Sequence, residues 1–295
     1  MSIQSINDLQ LALRQQNYIA DHGLATAIFL ALKLKRPLFL EGEAGVGKTE
    51  VAKVIAGLKG ARLIRLQCYE GLDVNQAVYE WNYTRQMLHI KLMEAHGERS
   101  SEEELFGSDY LLRRPLLQAV DFADELPPVL LIDEIDRSDE EFEAFLLEIL
   151  SDFQITIPEI GTIAASQPPT VVLTSNRTRE VHDALKRRCL YYWIDYPTFE
   201  KELEIVHAKV PEAPVVLAQQ VTAFIQELRL IELYKIPGVA ETLDWIAALL
   251  ALDQQALEPK IVDDTLGVIL KYQDDVNSIK GKTTRRIVEK VGGIK

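Results

Sequence analysis

Leu38-Phe39-Leu40-Glu41-Gly42-Glu43-Ala44-Gly45-Val46-Gly47-Lys48-Thr49 is the stretch from which the rest of the chain can be read. Three apolar residues, Leu38 to Leu40, have the pattern of a short buried strand, and the residues after Glu41 spell G-x-x-x-x-G-K-T with an additional glycine at position 45. Beyond the threonine, Val51, Val54, Ile55 and Leu58 recur at i, i+3, i+4 and i+7, the spacing of one helix face. A glycine-rich turn between strand and helix lets successive backbone N–H groups surround phosphate oxygens. The helix that opens there aims the positive end of its dipole at the same anion. Lys48 is placed to reach the β- and γ-phosphates of a nucleotide, and Thr49 to ligate its Mg²⁺. The alternative, a tight turn that binds no nucleotide, requires strand, motif and helix to coincide by chance.

Outward from this stretch, strand-length apolar runs recur at residues 63–66, 129–132, 171–173 and 190–194, and helical spacing fills the gaps, as at Phe142, Phe145, Leu146 and Ile149. Alternating strands and helices predict an α/β fold with a parallel sheet. Residues 153–165 alternate around Pro158-Glu159-Ile160-Gly161, which predicts a β-hairpin before the fourth strand. After about Thr198 the strand-like runs stop. Helical patterns at 215–233, 241–252 and 261–276, punctuated by Pro211, Pro214, Pro237 and Pro259, predict an all-helical second domain. The expected division is 1–197 and 198–295, in keeping with about two domains for 295 residues.

Two acids, Asp133 and Glu134, follow the run at 129–132, at the sheet edge where open α/β folds bind ligands. Asp133 is suited to holding Mg²⁺ through its waters, and Glu134 to polarising the water that attacks a γ-phosphate. An acid pair there could equally cap the next helix, and Asp136 and Asp139 are read as such entry residues. The fourth strand ends in Asn176, whose amide could orient the attacking water or close a turn. Arg187 and Arg188 precede the fifth strand; their planar charged forks suit a phosphoryl transition state, or a helix C-terminus.

Composition narrows the classes. With 45 acids against 32 bases the formal charge is −13, which opposes non-specific adhesion to nucleic acid or anionic membrane. Cys68 and Cys189 lack metal-ligand spacing, no signal segment or long apolar run occurs, and the five histidines show no ligand pairing. A cytoplasmic protein without a metal beyond nucleotide-bound Mg²⁺ is expected. Ser100 to Glu104 reads as a helix cap. The tail residues Lys280, Lys282, Arg285, Arg286, Lys290 and Lys295 read as a solvated basic helix.

In this order the elements resemble the AAA+ ATPases over nearly the whole chain: Walker A at 42–49, Walker B at 129–134, sensor 1 at Asn176, an arginine finger at Arg188 or Arg187, and a helical lid. The hairpin and the phrase Thr174-Ser175-Asn176-Arg177-Thr178-Arg179-Glu180 resemble the MoxR group, and within it the ATPases that mature carbon-monoxide-dehydrogenase-type molybdenum enzymes. The resemblance implies a parallel five-stranded αβα sandwich with a C-terminal helical lid and a hairpin ahead of sensor 1. It implies ATP and Mg²⁺ as cofactors, bound by Gly42, Glu43, Ala44, Gly45, Val46, Gly47, Lys48, Thr49, Glu50 and Asp133, with Tyr18 and Ile19 near the adenine. A homo-oligomeric ring, usually a hexamer with ATP sites between subunits, a client protein and a partner bearing a von Willebrand factor A domain are further implications. The sequence departs from the AAA+ pattern at sensor 2, since no Lys or Arg occurs between Pro237 and Pro259. The competing readings are a nucleotide-gated scaffold without turnover, a small-molecule kinase or GTPase, and a DNA-directed AAA+ protein.

Overall fold

The computed structural model describes residues 3–97 and 101–293, apart from the side chains of Glu102 and Glu103; Ser100 and Lys295 lie outside the described residues. The strands are β1 (Leu38–Gly42), β2 (Leu63–Gln67), β3 (Tyr79–Trp81), β4 (Leu111–Arg113), β5 (Val129–Asp133), β6 (Gln154–Ile157), β7 (Gly161–Ala164), β8 (Thr170–Ser175) and β9 (Leu190–Ile194). The helices begin with α1 (Ile6–Gln15), α2 (His22–Leu34), α3 (Lys48–Lys59), α4 (Val74–Ala77), α5 (Tyr83–His96), α6 (Glu102–Leu105), α7 (Pro115–Val120), α8 (Glu140–Asp152) and α9 (Asp183–Arg188). The series ends with α10 (Phe199–Lys209), α11 (Val215–Leu228), α12 (Val239–Ala251), α13 (Pro259–Ile269), α14 (Gln273–Ile279) and α15 (Lys282–Gly292). Among the described residues no helix is long and apolar enough to cross a membrane.

Two compact units emerge. The first holds residues 23–41 and 49–193. Its parallel sheet has the order β2-β5-β8-β1-β9, and all five strands fall on the apolar runs expected from the sequence. Four of them extend past the apolar core into polar ends, at Gly42, Gln67, Asp133 and Ser175. Strands β1 and β5 are buried along their whole length, and β8 along all but its first residue, because they occupy interior places in the sheet. Apolar side chains from the sheet pack with Leu116 and Leu117 of α7 and with Phe142, Leu146 and Ile149 of α8. The expected hairpin is β6–β7, which turns Ile155 and Ile157 into this core while the hydroxyls of Thr156 and Thr162 meet outside at 3.0 Å. The antiparallel pair β3–β4 was not foreseen, since three-residue strands are too short to display a period. The expected cap before α6 is present at Ser101, whose hydroxyl accepts from the Glu104 amide at 3.2 Å.

The second unit comprises the described residues of 1–22, 42–48 and 194–293. Its core gathers Phe224, Trp245, Leu249, Leu266 and Ile287, with the Trp245 indole N–H donating to Thr265 Oγ1 at 2.8 Å. Two expected helices differ in extent. The pattern at 215–233 is helical only to Leu228, and that at 261–276 divides into α13 and α14. At the second break Leu270 is extended yet buried, so the apolar spacing runs on across it and conceals the stop. Next to it the Asp275 carboxylate accepts the amides of Tyr234 and Lys235, at 3.0 and 3.3 Å.

The first break centres on a buried ion pair. Arg229 gives two guanidinium bonds to the fully buried Glu202, at 2.6 and 2.7 Å, and a third to the Pro237 carbonyl at 3.0 Å. Glu202 also accepts from Thr242 and Gln226, so all of its lone pairs are engaged. Removal of one partner strands a buried charge: Arg229→Met is expected to cost about 3–5 kcal/mol of stability, read from urea unfolding of the whole chain. Cys68 and Cys189 are free and buried, and burial pushes each thiol up to about 12, Cys68 being raised further by Asp133, Asp136 and Glu134. Neither thiolate forms near pH 8, so the native protein should give no thiol reaction with a disulfide reagent, and the unfolded chain should react at both cysteines.

Candidate nucleotide site

Within the first unit, four residues that the sequence singled out are joined around one carboxylate. Strand β5 carries Asp133 to the C-terminal edge of the sheet with only 2% exposure. Its Oδ1 accepts from the Thr49 hydroxyl at 3.0 Å and the Thr174 hydroxyl at 2.5 Å; its Oδ2 accepts from Arg65 Nε and Nη2 at 3.0 and 2.5 Å. The next residue, Glu134, has left-handed backbone (φ 56°, ψ 50°), a conformation that is strained for a glutamate. Its amide donates to Thr174 Oγ1 at 3.0 Å. Its carboxylate takes Asn176 Nδ2 at 3.5 Å and pairs with Arg137 Nε at 3.2 Å. Thus Thr49, Asp133, Glu134 and Asn176 form a connected group.

Asp136 departs from its reading as a helix-entry residue. It lies in a one-turn 3₁₀ segment, Ile135–Arg137, and is 3% exposed. Its carboxylate accepts the amides of Asn176 and Thr178, at 3.2 and 2.9 Å, and the Thr178 hydroxyl at 2.7 Å. It therefore fixes the chain that carries Asn176. Asp139 does cap α8, accepting from the Phe142 amide at 2.8 Å. One turn on, the buried Glu143 accepts from Arg179 and from the His182 amide, tying α8 to the segment after Asn176. Beneath these lies Glu41, 4% exposed, which accepts from Ser175 Oγ at 3.3 Å and Tyr191 Oη at 2.8 Å. Burial, followed by that bond, pushes the Tyr191 phenol up to about 12.

Arg187 and Arg188 are not part of this group. They end α9, exposed, with Arg188 Nε on Ser151 Oγ at 2.7 Å and the Arg187 carbonyl accepting from Arg36 at 2.9 Å.

Within the second unit, residues 42–48 form a tight loop in which Lys48 Nζ donates to the carbonyls of Gly42 and Glu43, at 2.9 and 2.6 Å. Gly42 admits no side chain, since a Cβ would stand 2.1 Å from the Ile194 carbonyl oxygen. Gly45 has φ +75°, and its Cβ would lie 2.9 Å from Glu241 Oε2. Helix α12 starts at this loop: Ala240 N donates to the Gly45 carbonyl at 3.1 Å, and a Cβ on the cap residue Gly238 would come within 2.7 Å of the Ala44 oxygen. Glu43, Ala44 and Val46 complete the loop; in the first unit, Glu50, in the first turn of α3, pairs with Lys53 at 3.1 Å. Tyr18 and Ile19 line a cavity of about 370 Å³ with Asn7, Gln10 and Arg14.

Each of these groups by itself fits a part of the chemistry of a nucleoside triphosphate. The loop is shaped by glycines, ends in a lysine and opens a twelve-residue helix. Thr49 and Asp133 pair a hydroxyl with a carboxylate, a set that would suit a hydrated Mg²⁺, a hard cation that needs few protein ligands when phosphates supply the rest. Among the described residues no group of three or more His, Cys, Asp or Glu side chains is arranged to hold a metal alone.

Residues 37–189 match the model of the AAA domain (dynein-related subfamily), which is more than half of the chain, and the protein belongs to that family of AAA+ ATPases. Two solved structures of RuvB from Thermotoga maritima, both mutants, are each 19% identical. One covers 86% of this chain and 71% of its own with a TM-score of 0.52; the other covers 94% and 76% with a TM-score of 0.50. At that identity the likeness concerns the fold.

Sequence reading missed Arg65, Thr174 and Asp136. Thr174 and Asp136 lie within two residues of recognised positions, but an acid or hydroxyl in such a cluster announces no particular partner. Asp136→Ala is expected to cost about 1–3 kcal/mol through its stranded donors and to speed amide exchange at Asn176 and Thr178, as hydrogen-exchange NMR would register.

Proposed function

We propose that the protein hydrolyses ATP at the interfaces of a homo-oligomeric ring, usually a hexamer in the group it resembles, to remodel a client protein. The observation that carries this reading is the connected set Thr49–Asp133–Glu134–Asn176, in which an acid suited to activating water stands beside a side-chain amide and a metal-suited hydroxyl–carboxylate pair. In this reading Lys48 and the backbone of 42–49 bind the phosphates, and Thr49 and Asp133 hold Mg²⁺, with Tyr18 and Ile19 at the adenine. Bound Mg²⁺ would supply charge neutralisation on the phosphate oxygens. Glu134 accepts a proton from the attacking water as its oxygen bonds to the γ-phosphorus and the bond to the leaving ADP oxygen breaks. Asn176 orients that water, and Arg188 or Arg187 reaches the γ-phosphate of a neighbouring subunit. Their exposure at the end of α9 favours such a role, because a group acting on another subunit must lie at the surface.

The functional boundary is proposed at 197/198, with 198–295 as a lid. We place the chain in the MoxR group, as a chaperone in metalloenzyme maturation with a molybdenum hydroxylase as client and a von Willebrand factor A-domain protein as partner. That reading rests on the phrase from Thr174 to Glu180 and on the hairpin, whose tip residue Ile160 is exposed. A DNA-directed motor is disfavoured by the charge of −13.

The test is ATP turnover as a function of protein concentration, with oligomer size followed by light scattering. Turnover per subunit should rise with assembly. Glu134→Gln should bind ATP without hydrolysing it, and Arg188→Ala or Arg187→Ala should lose about 10³-fold or more in rate with binding retained. Undiminished turnover in both arginine variants would remove the shared site. The client reading requires that an immature molybdenum hydroxylase stimulate turnover or gain activity in the presence of ATP.

A further inference from the structure

Arg65 has no place in the motifs that define the site, yet it makes the closest charged contact to Asp133. Strand β2 is the edge strand next to β5, and Gln67 pairs in register with Asp133. Residues two apart on a strand share a face, so Arg65 and Gln67 project together. Arg65 Nη2 donates to Gln67 Oε1 at 2.5 Å while Nε and Nη2 grip Asp133 Oδ2 at 3.0 and 2.5 Å. The guanidinium is half exposed and the carboxylate is buried. The opposite oxygen, Oδ1, already takes the hydroxyls of Thr49 and Thr174, which hold the carboxylate in orientation without help from Arg65.

We propose that Arg65 is a positioning residue that sets the metal affinity of this site, its guanidinium drawing the charge of Asp133 away from the divalent cation that Thr49 and Asp133 would share. The inference rests on the role of Asp133 given under the proposed function. A carboxylate that binds Mg²⁺ through waters acts chiefly through its charge, and a fixed cation on one of its oxygens opposes a second cation. Gln67 accepts from the same Nη2 that bonds Asp133 and keeps this opposition in place. If Arg65 only aligned Asp133, its loss would weaken metal binding. If it opposes the metal, its loss strengthens it.

That difference in sign can be measured without turnover. A non-hydrolysable ATP analogue is titrated into the full chain with and without Mn²⁺, and the ratio of the two affinities gives the metal coupling. For Arg65→Gln the coupling should rise about tenfold, the scale of one unit charge acting on a divalent ion under water-like screening. Arg65→Lys should stay near wild type. Arg65→Met, which also lacks the charge, should follow Arg65→Gln, and thermal melts confirm that each variant is folded. An unchanged or reduced coupling in folded Arg65→Gln and Arg65→Met overturns the proposal. Asp133→Asn separates the two levels: if it lowers the coupling while the Arg65 variants do not raise it, only the role of Arg65 falls. If Asp133→Asn leaves the coupling unchanged, both fall.

Discussion

Burying the carboxylate of Asp133 at the end of a central strand imposes one condition on everything around it, because a buried charge without partners is far more costly than any single contact returns. Four elements meet that condition together. The edge strand β2 contributes Arg65, α3 contributes Thr49, β8 contributes Thr174, and β5 itself brings the charge into place. Each of these groups is also, or adjoins, a group to which the proposed function gives a chemical task. The electrostatic requirement of folding and the placement of the site are thus one arrangement, and the strand order β2-β5-β8 is what makes it reachable.

A second tier of acids holds the first. Asp136 and Glu143 secure the chain from Asn176 to His182 by accepting backbone amides, and Glu41 receives hydroxyls from β8 and β9. Glu134 and Arg177, which flanks Asn176, both have left-handed backbone (φ 56° each). Strain of this kind persists only where surrounding bonds overdetermine the conformation, and here the bonds to Thr174, Ser175 and Asp136 do so.

The sheet was legible in the sequence because its interior strands carry unbroken apolar cores, as parallel strands covered by helices on both faces do. The loop and the acid pair were legible because their chemistry constrains residue type at fixed spacing. What could not be read is whatever depends on register. Nothing in Leu63-Ile64-Arg65-Leu66-Gln67 says that its arginine will meet a carboxylate 68 positions later, since that pairing exists only once β2 lies beside β5. The helix breaks near Leu228 and Leu270 were hidden for a related reason: at the first the chain is held by an ion pair to the distant Glu202, and at the second the apolar period runs on through an extended but buried Leu270.

The contact between Gly45 and Gly238 is backbone against backbone, with 3.3 Å from the site of a Cβ on Gly45 to the Gly238 Cα. Most packed surfaces are cushioned by side chains, whose rotamers can give way when one side moves. Here the two backbones meet directly, and the Ala240 amide ties them by donating to the Gly45 carbonyl. Loop and helix therefore behave as a stiff joint: a displacement of half an ångström or so on one side has to reappear on the other or break the contact, and side-chain repacking cannot silence it.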